Sequence, residues 1–210
     1  MRYTAYNEGA QTIGNSLMAS ASSAGAVATA DELLAAGEIG RCELVQGELV
    51  MMSPAGFEHG VITQRIAAAL HAFVSARELG VVTAAETGFL LSRSPDTVRA
   101  PDVAFVESAR VPKGRTVGYF AGAPDLAVEV LSPTDLHDAA ARGRAEAKLS
   151  GWLEAGSLEV WAIDPSSRMI TIHRPAAPSL VVRETETLAS AVLPGLIISL
   201  ADVFGPTVRG

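Results

Sequence analysis

The chain has 210 residues, of which 49% are hydrophobic and 19% charged, enough for one domain with a substantial core and inconsistent with disorder over most of its length. A net charge of -7 gives no long-range attraction to a polyanion, so any nucleic-acid role must rest on a local site or a bound cation. The single cysteine, Cys42, excludes an intramolecular disulfide and a cysteine-based zinc site, and no apolar run approaches the roughly 18 residues of a membrane span, so the expectation is a soluble protein of a reducing cytoplasm.

Residues 1–28 are rich in Ala, Ser and Gly without sustained periodicity, which predicts a flexible extension followed by one domain over 29–210. In "ATADELLAAGE" Asp31 is the predicted N-cap of a short helix that stops at Gly37. "RCELVQGELVMMS" predicts a β-hairpin turning at Gln46-Gly47. Between His59 and Leu79 the positions Ile62, Ile66, Ala69, Leu70, Phe73 and Val74 recur at helical spacing, and Gly80 supplies a stop.

"VVTAAE", "GFLLS" and "VRAPDVAFVES" follow as three predicted strands, and "DLAVEVLS" as another. A helix over about 136–155 is stopped by Gly156. "LEVWAIDP", "MITIHRP" and "SLVVRE" predict a strand meander, and "SLADVFG" a short terminal helix. The order of helices and strands indicates an α/β (α+β mixed) fold with a central mixed sheet flanked by helices.

Two strands carry an unexpected charge. In "PDLAVEVLSPTD" alternation places Ala127, Glu129 and Leu131 on one face, and an ionised carboxylate is costly to bury without partners. In "APDVAFV" Pro101 restrains the backbone, so Asp102 stands at the start of a well-defined strand. If the two strands are neighbours, their carboxylates approach within a few ångströms and need a proton or a cation between them. Mg²⁺ suits such a pair, using one or two protein carboxylates with water and phosphate oxygens. Lys148, one helical turn before Trp152, can bring an ammonium to the same place on its flexible stem.

The segments "CELVQGELVMMSPAGFEHGVITQRIAAAL", "AETGFLL", "VRAPDVAFVES", "PDLAVEVLSPTD" and "KLSGWLEAGSLEVWAIDP" resemble, in order and spacing over about residues 30–175, the Uma-two family of bacterial restriction-endonuclease-like proteins in the PD-(D/E)XK nuclease superfamily. The resemblance implies a restriction-endonuclease-like fold and a Mg²⁺-dependent endonuclease (Mn²⁺ as the alternative ion) acting on DNA, as a homodimer. Asp102 and Glu129 are the implied metal ligands. Leu131 stands where the superfamily's simplest pattern has lysine, and Lys148 matches the displaced lysine. Glu48 and His59 also match family positions, which implies a further acidic ligand and a phosphate or water contact.

Other readings of the same residues stand beside these. Glu129 as a structural charge paired with Arg142 or Arg144, in a non-catalytic binding or regulatory module, accounts for the acidic balance. A metal-free carboxylate-pair glycosidase would need an aromatic-lined cleft, and the chain is only 5% aromatic. Trp152 and Trp161 are expected in the core, and the aspartates of "DLHD" as helix caps.

Overall fold

The computed structural model describes residues 27–37 and 39–205, so the extension expected over 1–28 lies, up to residue 26, outside the described residues. Helix α1 (Ala30–Ala35) is capped by Thr29 and not by the predicted Asp31. Thr29 Oγ1 accepts from the Glu32 N–H at 3.2 Å while Glu32 accepts from the Thr29 N–H at 3.0 Å. This reciprocal pair satisfies two terminal donors where Asp31 would satisfy one. Strands β1 (Cys42–Val45) and β2 (Glu48–Met51) form the predicted hairpin, with Gln46 and Gly47 at φ 51° and 80° as a two-residue turn of positive φ requires. Helix α2 spans Phe57–Ser75 and buries Ile62, Ile66, Leu70 and Val74. It ends four residues before the predicted Leu79, where Glu78 takes φ 52°.

Strands β3 (Gly80–Ala84), β4 (Phe89–Ser92), β5 (Thr97–Arg99) and β6 (Val103–Glu107) replace three predicted strands. The predicted continuous strand over "VRAPDVAFVES" is divided at Ala100–Asp102, because Pro101 has no N–H for a ladder and the chain there passes from one sheet to another. After β7 (Phe120–Ala121) and β8 (Leu126–Val130), the predicted helix over 136–155 is two helices, α3 (Pro133–Leu136) and α4 (Ala139–Glu154). Asp135 completes a capping box with Ser132, and Asp138 caps α4 by accepting from the Ala141 N–H at 2.7 Å, as expected for these aspartates. Strands β9 (Glu159–Asp164), β10 (Met169–His173) and β11 (Leu180–Arg183) form the predicted meander, followed by β12 (Thr187–Ala189), β13 (Ile197–Ser199) and the terminal helix α5 (Leu200–Phe204).

The central sheet is mixed, as expected, in the order β11-β10-β9-β8-β6-β3, with β8 and β9 parallel and the other pairs antiparallel. Alternation divides its residues between two faces. On one face Val103, Phe105, Leu126, Val128, Val130 and Ile163 pack with Ile62, Ile66 and Leu70 of α2. On the other, Ala104, Ala127 and Ala162 leave shallow ground on which Leu149 and Trp152 of α4 pack. A second sheet, β2-β1-β5-β4-β7, was not predicted. It joins this side through Phe89, whose ring meets Trp152 edge-on at 6.1 Å. β12 and β13 form a separate ribbon, and among the described residues no helix is long and apolar enough to cross a membrane.

Gly80 fixes how β3 leaves α2. Its φ is 155°, and a Cβ there would stand 2.1 Å from the Val106 carbonyl oxygen, which is backbone and cannot yield cheaply. Gly80→Ala is expected to cost at least about 2 kcal/mol, read as a lowered denaturant midpoint with unchanged slope.

Candidate active site

The register of β6 on β8 answers whether the two charged strands are neighbours. Val103 pairs with Val128 antiparallel, and the Asp102 N–H continues the ladder to the Val128 carbonyl at 3.0 Å. Directly before that ladder Asp102 stands beside Glu129, its carboxylate accepting from the N–H of Val130, the residue that follows Glu129 on β8. Both are buried, at 3% and 6% exposure.

Glu129 is held from α4. Lys148 Nζ lies 2.9 Å from its Oε2, and the Trp152 indole N–H donates to its Oε1 at 2.8 Å. Lys148 and Trp152 are four residues apart and share one helix face, so a single turn supplies both partners. Arg142 and Arg144, the alternative partners, make no ion pair with Glu129 among the described residues. Trp152 is core, as expected, and also orients the carboxylate.

Asp102 is held differently. Its Oδ2 accepts from the buried Val130 N–H at 2.8 Å and lies 3.2 Å from Nε2 of His59 in the first turn of α2. Arg41 Nη2 stands 3.6 Å from Oδ1, and Arg41 Nε lies 2.7 Å from Glu86 Oε1. Among the described residues, Oδ1 accepts no hydrogen bond.

Of the residues singled out from the sequence, Asp102, Glu129, Lys148 and His59 come together. Glu48 does not: it sits exposed on β2, opposite Val45, with no hydrogen bond or ion pair to these groups among the described residues. The acid that the hairpin brings to the cluster is Glu43, at 3% exposure. Leu44 pairs with Val98, which puts Glu43 across from Arg99 on the neighbouring strand, and Arg99 Nη1 donates to its Oε2 at 2.9 Å. Its Oε1 takes the Ala100 N–H at 3.2 Å and lies 3.1 Å from Lys148 Nζ. The test that exposed Glu129, a charge in an apolar strand, would also have exposed Glu43 in "CELV". Arg41 and Glu86 carry no such signal.

The electrostatics follow from this packing. Burial pushes the Glu129 carboxyl up to about 7, against the opposing pull of Lys148, and the charges of Asp102 and Glu43 add to the rise. Burial also works against the Lys148 ammonium, but Glu129 and Glu43 on either side hold its pKa above the ordinary lysine value. Burial raises Asp102 too, yet His59 and the Val130 N–H outweigh it and hold that carboxyl below its usual range. Contact with Asp102 in turn raises His59.

The donor set suits a hard divalent cation. Two facing carboxylates, one with an oxygen that accepts no hydrogen bond among the described residues and the other destabilised as an anion, are the oxygen ligands such ions take. Among the described residues no three His, Cys, Asp or Glu side chains are grouped to hold a metal, so an ion on Asp102 and Glu129 would complete its shell with water and substrate oxygens, as Mg²⁺ commonly does.

Residues 29–201 match the model of the Uma2 family, described as "Putative restriction endonuclease". Among solved structures, the chain resembles one titled as a "putative nuclease belonging to DUF820" from Anabaena variabilis, with 22% sequence identity, a TM-score of 0.71 and coverage of 84% of this chain and 97% of the other. That likeness concerns the fold. Comparison with curated proteins gives no match.

Proposed function

We propose that this chain, which belongs to the Uma2 family of restriction-endonuclease-like proteins, is a divalent-metal-dependent endonuclease that hydrolyses DNA phosphodiester bonds, with Asp102 and Glu129 holding Mg²⁺, or Mn²⁺ in its place. The observation that carries the proposal is the cross-strand placement of Asp102 beside Glu129, with Lys148 Nζ 2.9 Å from the latter. A bound divalent cation would neutralise phosphate charge and favour ionisation of the attacking water. Asp102 and Glu129 fix the cation's place. Lys148 is the group poised to stabilise charge developing on the phosphate and to orient water, the role that Leu131 cannot fill. His59 is half-buried beside Asp102 and offers a donor to a phosphate oxygen or to water.

Two copies of a one-site chain can cut both strands of a duplex in a single encounter, so a homodimer is part of the proposal, as is a cytoplasmic location. The overall charge of -7 makes the cation central to substrate binding, because the protein's own field repels DNA.

Purified protein incubated with supercoiled plasmid should nick it in the presence of Mg²⁺ or Mn²⁺ and leave it intact with a chelator. Absence of cleavage with either ion, together with absence of metal binding by calorimetry, would overturn the proposal and leave a non-catalytic module on a nuclease fold.

A further inference from the structure

Glu43 is buried, lies outside the proposed metal pair, and joins the end of β5 to α4. Its carboxylate joins Arg99 of β5, the Ala100 N–H of the segment leading to Asp102, and Lys148 of α4. Lys148 Nζ therefore sits between two carboxylates, 3.1 Å from Glu43 and 2.9 Å from Glu129. An ammonium on Glu129 is what a cation entering that site must compete with, since both seek the same oxygens.

We infer that Glu43 is a positioning residue for Lys148: it draws the ammonium away from Glu129 when a divalent cation takes that carboxylate, and keeps it within reach of the phosphate. The inference rests on the metal-dependent nuclease reading above and concerns how the chain manages its own lysine. Three features of the structure support it. Glu43 reaches Lys148 from β1 of the second sheet, whereas Glu129 reaches it from β8 of the central sheet. Its other oxygen is anchored by Arg99 across the strand pair, so the acceptor is fixed while the lysine stem is flexible. Its charge is balanced by Arg99 in either position of Lys148, so moving the ammonium leaves no buried carboxylate without a partner.

Without Glu43, Lys148 has Glu129 as its one carboxylate partner and competes fully with the metal. The test is a double-mutant cycle on Mn²⁺ affinity, measured calorimetrically on the intact chain for wild type, Glu43→Gln, Lys148→Met and the double variant. Glu43→Gln is expected to weaken Mn²⁺ about tenfold when Lys148 is present and less than about twofold when it is methionine. Equal losses in both backgrounds would overturn the inference, because they mean that Glu43 acts as a bare charge or as a metal ligand. If wild type itself binds no metal, the nuclease reading falls and takes the inference with it, an outcome distinct from an additive cycle on a binding-competent protein.

Single-turnover cleavage should follow the same pattern, Glu43→Gln slowing turnover in wild type and changing nothing further beside Lys148→Met. Should Glu43→Gln fail to fold with Arg99 left unpartnered, Glu43→Asp serves in its place. It keeps the charge beside Arg99 but withdraws it from Lys148 by one methylene, and the same dependence on Lys148 is expected.

Discussion

Asp102→Asn is expected to lower metal-dependent cleavage about a thousandfold while leaving the protein folded, because several kcal/mol of transition-state charge stabilisation depends on the cation that Asp102 would hold. The choice of asparagine matters. Asp102 Oδ2 accepts from the buried Val130 N–H at 2.8 Å, and alanine would orphan that donor at about 1–3 kcal/mol. The asparagine carbonyl can still accept from Val130, so the ladder that joins β6 to β8 persists. What asparagine cannot keep is the negative charge shared with His59 and Arg41. Single-turnover cleavage and thermal melting of the same preparation separate the two effects. A variant that melts like wild type and cuts within threefold of it would remove Asp102 from the metal site.

The candidate site was legible in the sequence wherever a charge broke a period-two apolar pattern. Glu129 and Asp102 are such breaks, and the structure sets them side by side because Pro101 ends β5 and starts β6 at the place where β6 meets β8. Lys148 was legible through its spacing to Trp152. The second sheet was not legible, because β1, β4, β5 and β7 are two to four residues long and the β1–β5 and β4–β7 pairings are non-local. Without that sheet, nothing in "CELV" says which face of the hairpin meets Lys148, and Glu48 stood in for Glu43. Arg41 and Glu86 lie outside regular strands, and Glu86 adopts φ 68°, a conformation that a glutamate does not announce.

Glu129 predicts a pH dependence with two opposite signs. Its carboxyl is raised to about 7 by burial, then by the charges of Asp102 and Glu43, against Lys148 from α4, while Trp152 donates to its other oxygen. A proton and a metal ion compete for this group, so Mn²⁺ affinity is expected to fall about tenfold for each pH unit below 7 and to level off above it. Stability of the metal-free protein should move the other way. A carboxyl whose folded pKa exceeds its unfolded value favours the folded state when protonated. Its contribution is full below the unfolded value and is lost as the pH rises through about 7, a change on the order of 3 kcal/mol.

Asp102, held below its usual range, acts oppositely but only in more acidic solution. His59, raised by Asp102, and His173, lowered by burial, also titrate near neutrality, so Glu129 is read from the difference between wild type and Glu129→Gln between pH 5 and 7.5. Glu129→Gln should reduce the slope of the melting profile across that window to what the histidines contribute, and abolish metal binding. Wild-type affinity that stays level from pH 8 to 5 would mean that Lys148 keeps Glu129 ionised throughout, and the metal would then displace an ammonium where a proton was expected. Melting separates the two cases: a wild-type profile parallel to that of Glu129→Gln indicates ammonium displacement, and a steeper fall in wild type indicates the proton.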